Sequence, residues 1–370
     1  MAKKSFRSIK NWLAMNKKVL IVGKFSTDPN IYTYASSFYK TFQLLGYETA
    51  QVDCSPVGPF QNTPVINKIA LPLAIAGINK TILAAVKQHS PSLVFILKGQ
   101  HITPRTIAAI KSAGARVVNF YPDNPYALWN GNSTESILKS LPLFDCFLSW
   151  SPILTPALLA SGSPHVCSFP FAYDDTIYND KQKPHILSSS KDNAQRAREN
   201  EQIDICFIGT WEPEREAFLE QAIMRLPNVT FGIWGNGWHE HATSSHIKKH
   251  LMGKAIYADA MIDIYKKSKI ILNLLRAQNA HAHNMRTFEV PATKSFLLTE
   301  RTDQQSKLFF QEDYSIACFE GIDELVEKIN TYLHDTQARE TMSERSFVAA
   351  QHYTLQKQLH HYLEECPALR

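Results

Sequence analysis

Asn284–Glu300, N-M-R-T-F-E-V-P-A-T-K-S-F-L-L-T-E, packs a short helix, a proline stop, a small-residue turn and a buried strand into one run. Arg286 and Glu289 are three positions apart, so on a helix they share a face. An isolated pair of this kind is most simply a solvated surface ion pair. The functional alternative is a sugar-nucleotide pocket: a helix N-terminus offers free N–H groups to a diphosphate, and a carboxylate one turn further in accepts hydrogen bonds from two ribose hydroxyls. Asn284, Arg286 and Glu289 are the candidates this stretch supplies.

Outward from it, the chain alternates between strand and helix patterns. Val19–Val22 is a continuous apolar run ending at Gly23, followed by a helix from Ile31 to Leu45. Strands are expected at Glu48–Val52, Leu93–Leu97, Arg116–Phe120, Cys146–Trp150 and Val166–Ser168, with a helix from Pro104 opened by Thr103 and closed by Gly114. Tyr173–Gln202, with an Asp pair, three serines and a charged tail, reads as a linker. The alternation then restarts at Ile203–Ile208, with helix Pro213–Arg225 and strands Val229–Trp234, Ile270–Leu274, Ser295–Leu298 and Ser315–Cys318. The pattern implies an α/β chain of two Rossmann-like, doubly wound parallel-sheet domains facing an interdomain cleft. Its expected divisions are a basic N-terminal helix (1–17), a first domain (18–173), the linker (174–202), a second domain (203–345) and a C-terminal segment (346–370) placed to cross back onto the first domain.

Length and composition agree with this. A chain of 370 residues exceeds what one core usually serves, and 44% hydrophobic with 20% charged residues is a globular balance. A net charge of +5 suits a phosphorylated ligand and is too weak to argue for nucleic acid. The longest apolar candidate, Ile66–Ile78, is interrupted by Lys68, Pro72 and Gly77, so no transmembrane segment is expected. The first 18 residues carry six lysines and arginines without an apolar core, unlike a signal peptide. Phe6, Ile9, Trp12 and Leu13 fall near one helical face, which permits peripheral contact with an acidic membrane or docking on the protein itself. Six cysteines without CxxC spacing read as reduced core thiols of a cytoplasmic protein.

In open parallel sheets ligands bind beyond the carboxyl ends of the strands, so the loops there carry the chemistry. The loop after Val22 lacks GxGxxG and gives no support for a dinucleotide dehydrogenase. After Phe120, Asp123 stands between two prolines, either capping its own turn or acting as a general base or acceptor-hydroxyl ligand. After Ile208, Gly209 and Thr210 allow close backbone approach and Arg215 adds a cation for phosphate oxygens. Gly235 and Gly237, after Trp234, suggest that something comes close there too. His239, His241, His246 and His250 are dense but lack a completing acid or thiol, and there is no Asp-x-Asp pair to hold a divalent ion on a diphosphate. No metal and no cofactor other than the donor substrate is expected.

Five segments in order, Asp204–Arg215, Ile233–Trp238, Ser268–Leu274, Arg286–Glu300 and Phe310–Tyr314, resemble the CgeB-like spore-maturation glycosyltransferases, and Phe95–His101 and Asn119–Pro125 are similar to that family's first domain. The resemblance implies a GT-B glycosyltransferase that binds a nucleoside-diphosphate sugar on its second domain and presents an unidentified acceptor (protein, glycan or small molecule) to its first. By analogy with retaining family-four enzymes it implies that Glu289 holds the ribose and Arg215 the diphosphate. Those enzymes carry a further glutamate eight positions before the ribose glutamate. Here that position is His281, which together with Asp123 and Glu289 completes the catalytic candidates. The departure leaves open a sugar-nucleotide sensor or scaffold without turnover.

Overall fold

The computed structural model of the chain describes residues 17–28, 31–55, 64–128, 132–178 and 203–366. The expected basic N-terminal helix, apart from its last residue, and the linker beyond Tyr178 lie outside them. The chain forms two compact units, one of residues up to Pro170 joined by Leu355 onward, the other Phe171–Thr354.

The first unit is built on six parallel strands: β1 (Lys18–Gly23), β2 (Glu48–Asp53), β3 (Leu93–Leu97), β4 (Arg116–Tyr121), β5 (Cys146–Ser149) and β6 (Val166–Ser168), ordered β2-β1-β3-β4-β5-β6. The central strand β3, L-V-F-I-L, is buried at every position, as the continuous apolar run requires, whereas edge strand β2 is exposed at three of its six. One face is filled by aromatic rings, with Phe38 against Phe95, Phe120 and Phe169 at centroid separations of 4.9–5.8 Å. The helix on that face starts at Tyr34 rather than Ile31, because Thr33 and Ser36 form a reciprocal capping box. The C-terminal helix Leu355–Glu365 packs against it within the same unit.

The helix Pro64–His89 ends where the sequence pattern places the end of a long helical stretch and runs through Pro72 and Gly77, which interrupt its apolar run but not the helix. By length and composition alone Ala70–His89 would pass for a membrane span. Ile78, Ile82 and Val86 are nevertheless buried in the core of the first unit beside β1 and β3.

The second unit repeats the plan with β7 (Ile203–Ile208), β8 (Phe231–Trp234), β9 (Leu251–Gly253), β10 (Ser268–Asn273), β11 (Leu297–Glu300) and β12 (Ala317–Phe319), all parallel in the order β12-β11-β10-β7-β8-β9. Its core joins Ile205, Phe207, Ile233, Leu272 and Leu298 of the sheet to Leu219, Leu325 and Ile329 of the covering helices. β8 begins two residues later than the apolar run, since the Asp204 carboxylate holds Thr230 by its N–H at 2.9 Å and its hydroxyl at 2.7 Å. Two sheets of this form, each wound in both directions from an inner strand, are the expected doubly wound pair.

Candidate functional site

In the second sheet the strand order reverses between β7 and β10, and the crevice at such a switch point is where open α/β sheets take ligands. Arg215, in the first turn of helix Pro213–Arg225, stitches the two loops that leave these strands. Its Nη1 donates to the Thr210 carbonyl at 3.0 Å and its Nη2 to the Leu274 carbonyl at 2.8 Å. Two of its five N–H donors are thus spent on the fold. Nε lies 3.5 Å from a Glu212 oxygen without a hydrogen bond. The other Glu212 oxygen takes the fork of Arg276, Nε and Nη2 both at 2.6 Å. Burial pulls the Arg215 pKa down to about 10, Glu212 opposes the shift, and the charges of Arg276 and Arg286 add to it. Glu300, at the end of β11, accepts from the Leu275 N–H, and burial raises its carboxyl. Arg276 and Glu300 are the charges that sequence reasoning missed. Arg276 was visible as the first cation after β10, in the same kind of loop that drew attention to Arg215.

Gly209 and Gly235 face each other, not open space. A Cβ on Gly235, whose φ is +150°, would meet the Gly209 carbonyl oxygen at 1.8 Å, and one on Gly209 would meet the Phe207 ring at 2.8 Å. The Gly209 carbonyl also accepts from the Trp238 indole at 2.7 Å, and the Trp211 N–H donates to the Asn236 carbonyl at 2.9 Å. What comes close to these glycines is the neighbouring loop. Thr210 remains exposed on it.

Arg286 and Glu289 stand on the short helix Arg286–Ala292, six of whose seven residues are buried, so they are not the surface pair a bare RxxE suggests. Glu289 is 8% exposed, and one of its oxygens lies 3.8 Å from Arg286 Nη1 and has no hydrogen-bond partner. Burial raises its carboxyl pKa, while Arg286 and a hydrogen bond from Tyr178 lower it. Arg286 Nε and the Tyr265 hydroxyl are likewise buried without partners. Such orphan groups are rare in native interiors. Asn284 is held by a reciprocal amide pair with Asn273, at 2.8 and 3.2 Å, which anchors the loop entering the helix to the end of β10.

The two histidines of this loop separate sharply. His281 is exposed. His283 is fully buried, accepts the Phe171 N–H on Nε2 at 2.9 Å and donates from Nδ1 to Gln304 at 2.7 Å, which fixes the neutral tautomer. Burial pushes its pKa down to about 4. Asp123 belongs to the first unit, on the loop after β4, and pairs with Lys98 Nζ at 2.8 Å. Among the described residues, the metal-ligating side chains that converge in a group of three are Cys146, Cys167 and Cys366, and no histidine takes part.

Residues 214–364 match the family model described as Glycosyl transferase-like. No curated protein matches the sequence significantly. Solved structures match along nearly the whole chain. A glycosyltransferase from Rickettsia africae has a TM-score of 0.64 at 12% identity, covering 94% of this chain and 97% of its own. Anabaena HepE in complex with UDP-glucose has 0.61 at 12%, covering 94% and 98%. An E. coli trehalose-6-phosphate structure bound with UDP-2-fluoro glucose has 0.64 at 12%, covering 94% and 98%. The chain thus has the two-sheet GT-B fold, and the family match over most of its second unit supports a glycosyltransferase.

Proposed function

We propose that the protein is a metal-independent glycosyltransferase that moves a sugar from a nucleoside-diphosphate sugar to an acceptor, with the donor held by the second unit. The observation that carries this reading is the arrangement around the β7/β10 switch point: Arg215 there bridges the two loops and feels the charges of Arg276 and Arg286, and Arg286 lies 3.8 Å from a buried Glu289 oxygen that lacks a hydrogen-bond partner. Glycosyl transfer breaks the bond between the anomeric carbon and a diphosphate oxygen, so the developing charge sits on the diphosphate, where guanidinium donors oppose it. Glu289 is then the acceptor for ribose hydroxyls, and Asp123 in the first unit the group that meets the acceptor hydroxyl. The absence of an Asp-x-Asp pair in the sequence supports metal independence. The UDP-sugars of the Anabaena and E. coli structures make uridine nucleotides the first donors to test. A CgeB-like specificity and a cytoplasmic location belong to the same reading.

Calorimetry with UDP, GDP and ADP is the test. One nucleotide binds, and Glu289→Gln, checked by thermal melting for an intact fold, weakens it tenfold or more, the effect of losing about 1.5–3 kcal/mol of charge-assisted hydrogen bonding. Equal affinity in the variant would refute the site. His281, exposed where family-four enzymes have a glutamate, supports a second reading: a sugar-nucleotide sensor without turnover. Tight binding with neither transfer nor donor hydrolysis over a broad acceptor panel favours it, and turnover abolished by Glu289→Gln rules it out.

A further inference from the structure

Three cysteines distant in sequence meet in the first unit. Cys167 on the edge strand β6 lies opposite Leu148 of β5, and Cys146 precedes Leu148 by two residues, so both thiols leave the same face of the sheet. Cys366, just past the helix Leu355–Glu365, covers that face. The sulfur atoms are 3.3 Å apart for Cys146 and Cys167, 3.3 Å for Cys167 and Cys366, and 3.8 Å for Cys366 and Cys146. Cys146 and Cys366 are buried, while Cys167 is partly open to solvent, which leaves a way in. One turn back on the same helix, the Tyr362 hydroxyl faces Cys146 and Cys366, buried and with no hydrogen-bond partner.

A disulfide would join two of these sulfurs and leave the third, with the Tyr362 hydroxyl, unused. A metal ion takes all three. Tetrahedral zinc at about 2.3 Å from each sulfur sets the sulfurs about 3.8 Å apart, the length of the widest edge here, so the other two edges need open by only about half an ångström. We propose that Cys146, Cys167 and Cys366 form a zinc site that staples the C-terminal helix to the β5–β6 edge, with the fourth position filled by water or the Tyr362 oxygen. Each thiol that ligates gives its proton to the solvent, and no electron is exchanged. Zinc(II) joins segments 21 and 199 residues apart, so its binding free energy adds to the stability of the unit.

The reduced, metal-stripped full chain is titrated with Co2+ under anaerobic conditions, then with Zn2+. The proposal expects one Co2+ per chain with thiolate charge-transfer bands in the near ultraviolet, their loss on adding Zn2+, and a higher melting temperature with Zn2+. Cys366→Ser removes all three effects, and Cys54→Ser leaves them unchanged. Should Cys366→Ser fail to fold, alkylation of the unmodified chain decides: Zn2+ protects Cys146, Cys167 and Cys366 but not Cys54. Failure of the reduced chain to take up Co2+, uptake that survives Cys366→Ser, an unchanged alkylation pattern, or a disulfide within the triad whose reduced form takes no metal would each overturn the site.

Discussion

Glu289 and His283 stand on one loop-helix segment and put burial to opposite uses. Glu289 keeps an oxygen unsatisfied and its carboxyl raised, a cost that a bound ligand would relieve, whereas both ring nitrogens of His283 are spent on Phe171 and Gln304. The His283 pKa falls from an ordinary 6.5 to about 4 in the folded chain, so between these values the unfolded state binds the extra proton. This contribution is complete above pH 6.5, declines as the pH falls, and is gone near pH 4, a loss of about 3 kcal/mol. Urea denaturation between pH 7.5 and 4.5 should show this decline, and His283→Gln should flatten it. An equal slope in the variant would assign the decline to His101 and His250, whose pKa values burial also lowers. In the sequence His281 and His283 look alike. One residue of loop geometry sends one outward and the other into an aromatic nest with Phe288 and Phe309, and no local pattern encodes that choice.

The elements that were legible are the long or fully buried ones. β3, β7 and helix Pro213–Arg225 fall on the residues the pattern assigns, because an unbroken apolar run between turn residues has few alternatives in an α/β chain. β9, with three residues, and the short helices Glu135–Ser140 and Thr155–Ala160 are too brief to carry a period. The glycines after β7 and β8 were legible as close approaches, but their partner was not, since it comes from the other loop. Gly235→Ala should therefore destabilise the second unit by more than about 3 kcal/mol, because the new methyl has only the Gly209 carbonyl to enter. Gly77→Ala, on an exposed helix position with nothing within 4 Å, should instead stabilise by up to about 1 kcal/mol. Thermal melts of the two variants check the contrast, and similar shifts would discredit it.

The C-terminal helix belongs to the sheet farthest from it in sequence. Leu355, Leu359, Tyr362 and Leu363 are buried in the first unit, and Tyr362 packs edge-on against Phe169 at 6.1 Å. Ending the chain at Thr354 should destabilise that unit by on the order of 5 kcal/mol or more, at roughly 1.5–3 kcal/mol for each buried apolar side chain. Hydrogen exchange reads this directly: Tyr34–Leu44 should lose amide protection while β7 and β10 keep theirs, and unchanged protection would show that the helix contributes little. The linear order of residues was enough to specify two doubly wound sheets and the loops at their strand ends, because apolar period, turn residues and strand-end position are properties of neighbours along the chain. Which groups face one another was settled by folding. The Leu274 carbonyl on Arg215, the unpartnered oxygen of the buried Glu289 and the meeting of Cys146, Cys167 and Cys366 are outcomes of tertiary packing, and only the folded chain fixes them.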